Sequence, residues 1–352
     1  MDRRILLLLT DLEIGGTPTV VREIARRLHR PPGVEIQVAC LKRAGPVADQ
    51  IRPLGIRVTA LHAESAKLRT FDDLIRFIRR QKFDTVMSFL VHANVAAAVS
   101  SMFCPGVRFI QSIQTTQRRP HWHWLAQRWA SHHAHRVIVP SPSAAEVAHY
   151  RSVVPMEKLL VIPNGVDVPP SRAAHPFGRP PHRVVFIGRL DPVKRLPDLL
   201  AAVHSLNGLV HLDIYGDGAQ REKLIDKIQE REIAAWVTMH GPIDGPEQAL
   251  RDAELLVLPS EAEGFGLVLI EAMAAGVPVV ATNAPGIRDV VRDKITGLLV
   301  PVGSPADLAT AMRQVLEDPA MAQRLSAAAW GDVRQRFTWD AAMDGYRRLL
   351  GI

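Results

Sequence analysis

Short apolar segments alternate with helical patterns along almost the whole of this 352-residue chain. In the first half the apolar segments lie at residues 5–9, 35–39, 57–60, 85–89, 107–110 and 137–139. Each gap leaves room for a helix, and residues 17–29 show the helical period directly. Such alternation is typical of parallel strands joined by crossover helices, and the uniformly apolar strands indicate sheets covered on both faces. The sequence therefore predicts an α/β fold.

A proline-rich stretch divides this pattern. Six prolines lie between residues 163 and 182, which excludes a continuous helix or a central strand there. Apolar segments resume at residues 184–187, 212–215, 236–239, 255–258, 277–281 and 298–300, followed by a helical tail over about 305–350. We therefore expect a Rossmann-like domain over 1–165, a linker over 166–182 and a second Rossmann-like domain over 183–335. A C-terminal helix over 336–352 is expected to pack back toward the first domain.

The loop and helix start over residues 263–271 are the sharpest chemical signal. Gly264 and Gly266 follow a predicted strand and let the backbone approach a ligand closely. Exposed N–H groups at the helix start favour an anion such as phosphate. The acids Glu263 and Glu271 flank this segment, and either could instead be an ordinary solvent-facing acid.

A second signal is the sequence from Gly188 to Lys194, directly after another predicted strand. Arg189 and Lys194 could grip adjacent phosphates, although most surface cations are simply solvated. Their position favours a ligand site, because parallel sheets bind ligands where strands end and helices begin. Two such domains facing each other would form a cleft suited to joining two substrates.

Seven stretches, taken in order, carry a resemblance to a known family. They are Gly15-Gly16, residues 163–167, Gly188-Arg189 with Lys194, residues 216–218, residues 263–271, residues 276–282 and residues 296–300. Together they resemble the retaining glycosyltransferases called family 4, or glycosyl transferases group 1. That family has the GT-B fold, with two Rossmann-like domains facing a central cleft, and the resemblance extends over nearly the whole chain.

The resemblance implies a nucleotide diphosphate sugar as donor, UDP- or GDP-linked, and a hexose as the transferred group. Arg189 and Lys194 would hold the donor diphosphate, Glu271 its ribose, and Glu263 would lie near the transferred sugar. The other substrate contacts implied are Gly15, Gly16, Asn164, Gly188, Gly216, Gly218, His240, Gly241, Gly264, Phe265, Gly266 and Leu267. No Asp-x-Asp pair is present, so we expect metal-independent catalysis without a cofactor. Retention would follow from same-face attack assisted by the leaving phosphate.

The sequence departs from the family pattern in the first domain. A His often follows the family strand that corresponds to residues 107–110, and here no His occurs between residues 110 and 116. Gln114 is our candidate replacement, as an uncharged catalytic hydrogen-bond partner. His92, which follows the predicted strand 85–89, is a further candidate for substrate binding, with ordinary polar packing as the alternative.

Charge is unevenly distributed along the chain. Residues 1–165 hold 23 Lys and Arg against 12 Asp and Glu, whereas the remainder holds 20 against 24. The segment from Arg118 to Trp129 also mixes cations with tryptophans, which suits lipid headgroups or stacked bases, or simply helix packing. With the resemblance, this favours an anionic membrane and a lipid-linked or envelope-glycan acceptor over nucleic acid. The alternative is a solvated basic face.

No apolar segment is long enough for a signal peptide core or a membrane span, so we expect a cytoplasmic protein, peripheral at the inner face of the membrane. Cys40 and Cys104 are expected to be buried apolar residues rather than catalysts. Three other functions remain open: a nucleotide-sugar epimerase of the same fold, a catalytically degenerate nucleotide-sugar-binding protein and, more weakly, a dinucleotide oxidoreductase. The last lacks a Gly-x-Gly-x-x-Gly after its first strand.

Overall fold

The chain divides into two units in a computed structural model that describes residues 3–29, 33–61, 67–117, 121–172 and 178–352. The first unit comprises residues 1–163 and 343–352, and the second comprises residues 164–342. The division falls two residues before the predicted end of the first domain. The described residues of the predicted linker belong to the second unit.

The first unit is built on a seven-stranded parallel sheet in the order β3-β2-β1-β4-β5-β6-β7. Its strands are β1 (Arg3–Leu9), β2 (Val34–Cys40), β3 (Arg57–Ala60), β4 (Thr85–Phe89), β5 (Arg108–Ser112), β6 (Arg136–Val139) and β7 (Leu159–Val161). Its helices are α1 (Gly16–Leu28), α2 (Pro46–Ile51), α3 (Lys67–Gln81), α4 (Val91–Ser101), α5 (His121–His132) and α6 (Pro142–Ser152). The central strands are fully buried, as their apolar sequences require.

The second unit contains a six-stranded parallel sheet in the order β10-β9-β8-β11-β12-β13. Its strands are β8 (His182–Ile187), β9 (Val210–Tyr215), β10 (Val237–Gly241), β11 (Leu255–Leu258), β12 (Val279–Thr282) and β13 (Leu298–Val300). Its helices are α7 (Leu196–Leu206), α8 (Arg221–Glu230), α9 (Glu247–Arg251), α10 (Leu267–Ala275), α11 (Ile287–Val290), α12 (Pro305–Glu317), α13 (Pro319–Arg336) and the start of α14 (Trp339–Leu350). The predicted class, two Rossmann-like parallel-sheet domains, is confirmed.

Strand order places a topological switch point in each sheet. In the first unit β1 pairs with β2 on one side and with β4 on the other. In the second unit β8 pairs with β9 on one side and with β11 on the other. Open parallel sheets bind ligands at the carboxyl ends of such strand pairs, because the flanking loops diverge there. A ligand site is therefore expected at the carboxyl ends of β8 and β11 and of β1 and β4.

The C-terminal tail over about 305–350 is helical, as the sequence predicts. It consists of three helices, and the second unit continues to Ala342 rather than ending at 335. Asp318 caps α13 by accepting a hydrogen bond from the Met321 amide, which separates α13 from α12. At the other end, the guanidinium groups of Arg3 and Arg108 donate to the carbonyl oxygens of Leu350 and Leu349. These bonds attach the last turn of α14 to the first unit.

Candidate functional site

Lys194 and Glu263 meet at the switch point of the second sheet. Lys194 ends a 3-10 turn after β8, and Glu263 lies in the loop between β11 and α10. Lys194 Nζ lies 2.6 Å from Glu263 Oε1, and the two side chains are only 14% and 13% exposed. The Ser260 hydroxyl donates to the same carboxylate oxygen at 2.7 Å. Burying an ion pair is unfavourable unless further hydrogen bonds satisfy its charges, and the Ser260 hydroxyl supplies such a bond to Glu263.

Backbone contacts hold the loop that carries Glu263. The Glu263 amide donates to Pro285 O at 3.1 Å, and the Glu261 amide donates to Val193 O at 2.8 Å. A Cβ at Gly286, where φ is +84°, would lie 2.1 Å from Glu263 O. Only glycine fits there, so Gly286 supports the site although we did not predict it as a site residue. The Pro285-Gly286 dipeptide after a strand was the sequence signal that could have indicated it.

The predicted glycines at the ends of β8, β9 and β10 pack against one another. The Gly188 amide donates to Tyr215 O at 3.0 Å, and the Gly216 amide donates to Gly241 O at 2.7 Å. A Cβ at Gly216 would lie 1.9 Å from Gly188 O, and one at Gly218 would lie 2.8 Å from Leu190 N. Glycine is therefore required at 216 and 218 by contact between loops, independently of any ligand.

Helix α10 begins four residues after Glu263. Gly266 caps it in the left-handed conformation with φ of +84°, and Leu267 is its first residue. The Phe265 side chain is buried edge-to-face against Phe337, with ring centroids 5.3 Å apart, so only its backbone is available to a ligand. Glu271 lies half-buried in α10, and Gly264 lies half-buried beside Glu263. The α10 N-terminus thus contributes positive potential close to the Lys194–Glu263 pair.

The two predicted cations have different surroundings. The Arg189 side chain is 65% exposed and pairs with Asp191 at 2.9 Å, whereas Lys194 is largely enclosed. An exposed pair of this kind is weak, so Arg189 can reorient at little cost. The structure therefore makes Lys194 the fixed cation at this switch point.

His240 is oriented by its neighbours on the sheet. Its Nε2 lies 2.6 Å from Asp213 Oδ1, and its ring stacks on Tyr215 with centroids 4.4 Å apart. Asp213 is buried and also accepts from Arg183 at 3.2 Å. Asn164, at the start of the second unit, is buried, and its carboxamide oxygen has no hydrogen-bond partner among the described residues.

The first unit places its predicted residues at the carboxyl ends of β1, β4 and β5. Gly15 caps α1 in an extended conformation, with φ of 170°, and Gly16 begins that helix. A Cβ at Gly15 would touch only Pro18 Cδ at 3.9 Å, so packing does not require glycine there. Gln114 follows β5 and donates from Nε2 to the Ser112 hydroxyl at 2.7 Å.

His92 belongs to a cluster of three rings that sequence reasoning did not assemble. It lies 5.8 Å from Trp122 and 5.9 Å from His123, and the latter two rings are 4.0 Å apart. Burial lowers the pKa of His92, and nearby Lys42 lowers it further. The pKa of His123 is also lowered, first by burial and to a smaller extent by electrostatic repulsion from His92. In the sequence, the run of Trp and His residues that opens α5 could have indicated this ring cluster. Arg118, Arg119 and Pro120 of the same cation-rich segment lie outside the described residues.

A buried amide network underlies this cluster. Asn94 donates to Ser112 O at 3.0 Å and to Gln127 Oε1 at 2.8 Å, and accepts from the Ser88 hydroxyl at 2.8 Å. Gln127 donates in turn to Gln111 Oε1 at 2.9 Å. These bonds join α4 and α5 to β4 and β5 where the strands end.

Replacing Asn94 with alanine is expected to lower the free energy of unfolding by about 2–4 kcal/mol. The substitution removes the acceptor of the Ser88 hydroxyl and the donor to Gln127 Oε1 in a buried site, at roughly 1–3 kcal/mol per unsatisfied group. Gln127 Nε2 keeps its bonds to Gln111 and Ser131. Urea denaturation followed by circular dichroism measures the loss. Ser101→Ala, which removes one half-buried hydroxyl bonded within α4, serves as the control and should change stability by less than about 1 kcal/mol. Equal losses in the two variants would contradict the role given to the network.

Other chemical possibilities are limited in the parts of the chain that the structure describes. Cys40 and Cys104 are both free and buried, and burial raises the pKa of Cys40 to about 11. Among the described residues, no cluster of three or more His, Cys, Asp or Glu side chains could hold a metal ion. None of the described helices has the length and apolar character needed to cross a membrane.

Comparison with known families matches both halves of the chain. Residues 14–169 match the family described as Glycosyltransferase Family 4, and residues 167–330 match Glycosyl transferases group 1. Glycogen synthase of Mycobacterium tuberculosis is 32% identical over 268 residues, which cover 70% of this chain and 62% of that protein. D-inositol 3-phosphate glycosyltransferase of Streptomyces bingchenggensis is 31% identical over 258 residues, or 62% of this chain and 55% of that protein. The chain thus spans about six-tenths of the length of these relatives, or less.

Solved structures share the fold across the whole chain. The crystal structure of Anabaena HepE, determined in complex with UDP and glucose, superposes with a TM-score of 0.88 at 20% identity. The match covers 99% of this chain and all of that one. At this identity the likeness establishes the architecture alone.

Proposed function

Because this chain belongs to the glycosyl transferases group 1, with a Family 4 first domain and the GT-B fold, we propose that it is a retaining glycosyltransferase. It moves a hexose from a UDP- or GDP-linked donor to a glycan or lipid-linked acceptor in cell envelope polysaccharide synthesis. The observation that carries this proposal is the enclosed Lys194–Glu263 pair at the β8/β11 switch point, beside the start of α10.

The charges at this point match those that develop during sugar transfer. Breaking the bond between sugar and phosphate leaves negative charge on the nucleotide diphosphate and positive character on the anomeric carbon. Lys194 and the amides at the start of α10 offer a fixed positive potential to the leaving group, and Arg189 adds a mobile guanidinium. These groups supply the stabilisation that a metal would otherwise provide, so we propose metal-independent catalysis without a cofactor.

The state of Glu263 supports same-face attack over a covalent enzyme intermediate. Its carboxylate is engaged by the Lys194 ammonium and the Ser260 hydroxyl, which lowers its nucleophilicity. In this proposal Glu263 orients Lys194 and accepts a hydrogen bond from the transferred sugar. The donor phosphate assists the incoming acceptor, and the anomeric configuration is retained.

The first unit holds the acceptor in this proposal. The excess of Lys and Arg in residues 1–165 suits an anionic surface, and Leu125 and Trp129 project from α5 with large exposed fractions. Tryptophan and arginine side chains favour the membrane interface. We therefore extend the proposal to a peripheral contact with an anionic membrane.

Donor binding is expected to raise the melting temperature of the purified protein. A nucleotide that binds only the folded state at 100 times its Kd stabilises it by about 2.7 kcal/mol. We would screen UDP, GDP and ADP and their glucose or mannose conjugates, each with and without EDTA. A shift with one nucleotide that EDTA does not change would support the donor site and identify the base.

The absence of any shift at millimolar concentration would contradict the proposed donor site. A shift abolished by EDTA would overturn the metal-independent part alone. Sugar transfer or slow hydrolysis of the matching donor then separates an enzyme from a protein that only binds the nucleotide sugar, and retention follows from the configuration of the product.

A further inference from the structure

The turn between β4 and α4 holds His92 in a constrained position. Leu90, which caps α4, has φ of 73° and ψ of 154°, a conformation that only glycine adopts easily. Such strain persists only where the surrounding structure enforces it, and it concentrates at ligand sites. His92 is the second residue of α4, directly beyond this turn.

Helix α5 brings two further rings to the same place. Trp122 and His123 are its second and third residues, so they too lie beyond the carboxyl end of a strand, β5. The three rings meet edge to face, at interplanar angles between 69° and 81°. Trp122 remains 53% exposed, which leaves much of its indole surface open to a ligand.

The amide network fixes the spacing of these rings. Asn94, one half-turn after His92, and Gln127, about one turn after His123, are joined by a hydrogen bond of 2.8 Å. Both are buried and both are also bonded to β5 or its side chains. The starts of α4 and α5 therefore keep a constant separation, as a preformed binding surface requires.

The cluster presents aromatic faces and neutral polar groups. Burial lowers the pKa of both histidines and so favours their neutral rings, each of which offers one N–H donor and one acceptor nitrogen. The face of an indole carries negative potential and attracts the weakly positive C–H groups of a sugar ring. Neutral imidazoles can exchange hydrogen bonds with the hydroxyls around that ring.

We propose that His92, Trp122 and His123 form a platform for an uncharged pyranose ring of the acceptor. The platform rests on the proposed function and gives the chemistry of its acceptor subsite. Trp122 stacks on one face of the sugar, and the two imidazoles contact its hydroxyls.

The helix offers a matched control for Trp122. Trp129 is on the same helix, is 42% exposed and also contacts a histidine ring, His133, at 5.0 Å. It lies outside the three-ring cluster and near the carboxyl end of α5. Trp122→Leu and Trp129→Leu therefore remove comparable exposed indoles, and only the first removes the platform.

The test is saturation-transfer NMR on the full chain with methyl α-D-glucopyranoside, methyl α-D-mannopyranoside, methyl α-D-galactopyranoside and maltotriose. We expect at least one of these sugars to receive saturation at its ring C–H protons in the unmodified protein and in Trp129→Leu. In Trp122→Leu its affinity should fall about tenfold or more, and Trp122→Phe should restore part of it. No binding by the unmodified protein, or equal binding by both leucine variants, would overturn the platform.

Two parallel measurements distinguish a sugar platform from a failed donor site and from a lipid-binding surface. Stabilisation by the donor nucleotide should be the same in all variants, whereas its absence from the unmodified protein would remove the proposed function itself. Sedimentation with phosphatidylglycerol vesicles tests a lipid occupant. Loss of vesicle binding in both leucine variants, with no change in sugar binding, would assign this face of α5 to the membrane and overturn the platform.

Discussion

Replacing Lys194 with alanine is expected to lower kcat for sugar transfer by about 10²–10³-fold, the usual effect of removing one preorganised group that stabilises developing charge. The ammonium is enclosed, and Glu263 holds it in place through a contact of 2.6 Å, so it needs little reorganisation when the leaving group becomes charged. Release of nucleotide from the donor identified by thermal shift measures the rate. A Lys194→Ala variant within threefold of the unmodified rate would contradict the assignment.

A double-mutant cycle separates catalysis from simple charge pairing. Lys194→Ala leaves the Glu263 carboxylate without its cation, which should cost about 1–3 kcal/mol of unfolding free energy. Adding Glu263→Gln removes the buried charge, so stability should recover while the rate stays low. If the double variant instead regained the rate of Glu263→Gln alone, Lys194 would serve only to neutralise Glu263.

The substitution Gly216→Ala is expected to abolish measurable nucleotide stabilisation and to lower the free energy of unfolding by about 2–4 kcal/mol, from overpacking together with backbone strain. Its Cβ would lie 1.9 Å from Gly188 O at a φ of +145°, so the loops after β8 and β9 must separate. The loop after β8 carries Arg189 and leads to Lys194, so the donor cations move with it. Denaturant titration and thermal shift with the donor nucleotide measure the two effects.

Gly106→Ala is the control, because it introduces backbone strain without a steric clash. Gly106 has φ of +85° and open space around the position of a Cβ, and it precedes β5 in the first unit. We expect it to cost about 1–2 kcal/mol in stability and to leave nucleotide binding unchanged. Similar loss of nucleotide binding in the two variants would show that the collision at Gly216 is not the cause.

Much of the sheet architecture could be predicted from local sequence. Strands β3, β4, β11 and β13 have the predicted bounds. Among them, β11 and β13 consist entirely of apolar residues. Strand β7 was missed: Leu159–Val161 is apolar, but it is an edge strand of only three residues that ends directly before the proline-rich stretch. The second unit continues to Ala342, beyond the predicted 335, because the Val166 amide donates to Phe337 O and Gly165 packs against Trp339, contacts between residues far apart in sequence.

The candidate site could be predicted only in part. Glycines between a strand and a helix, with Lys194 and Glu263 nearby, marked two loops that the structure brings together beside the β8/β11 switch point. Two contacts could not be derived from the sequence: the pairing of Lys194 with Glu263, 69 residues apart, and the meeting of His92 with Trp122. The steric requirement for glycine at 216 also comes from a contact between two loops, since a Cβ there would lie 1.9 Å from Gly188 O.

By itself, the sequence determined that this chain builds two parallel sheets covered by helices, because periodicity and burial are properties of each segment and its neighbours. It also located the loops that lead from a strand into a helix, since a helix start after an apolar strand is a local pattern. Tertiary structure alone decided which loops share a site. Strand order puts β8 beside β11 and β1 beside β4, and that order depends on how the crossover helices pack on the sheet, which no single segment encodes.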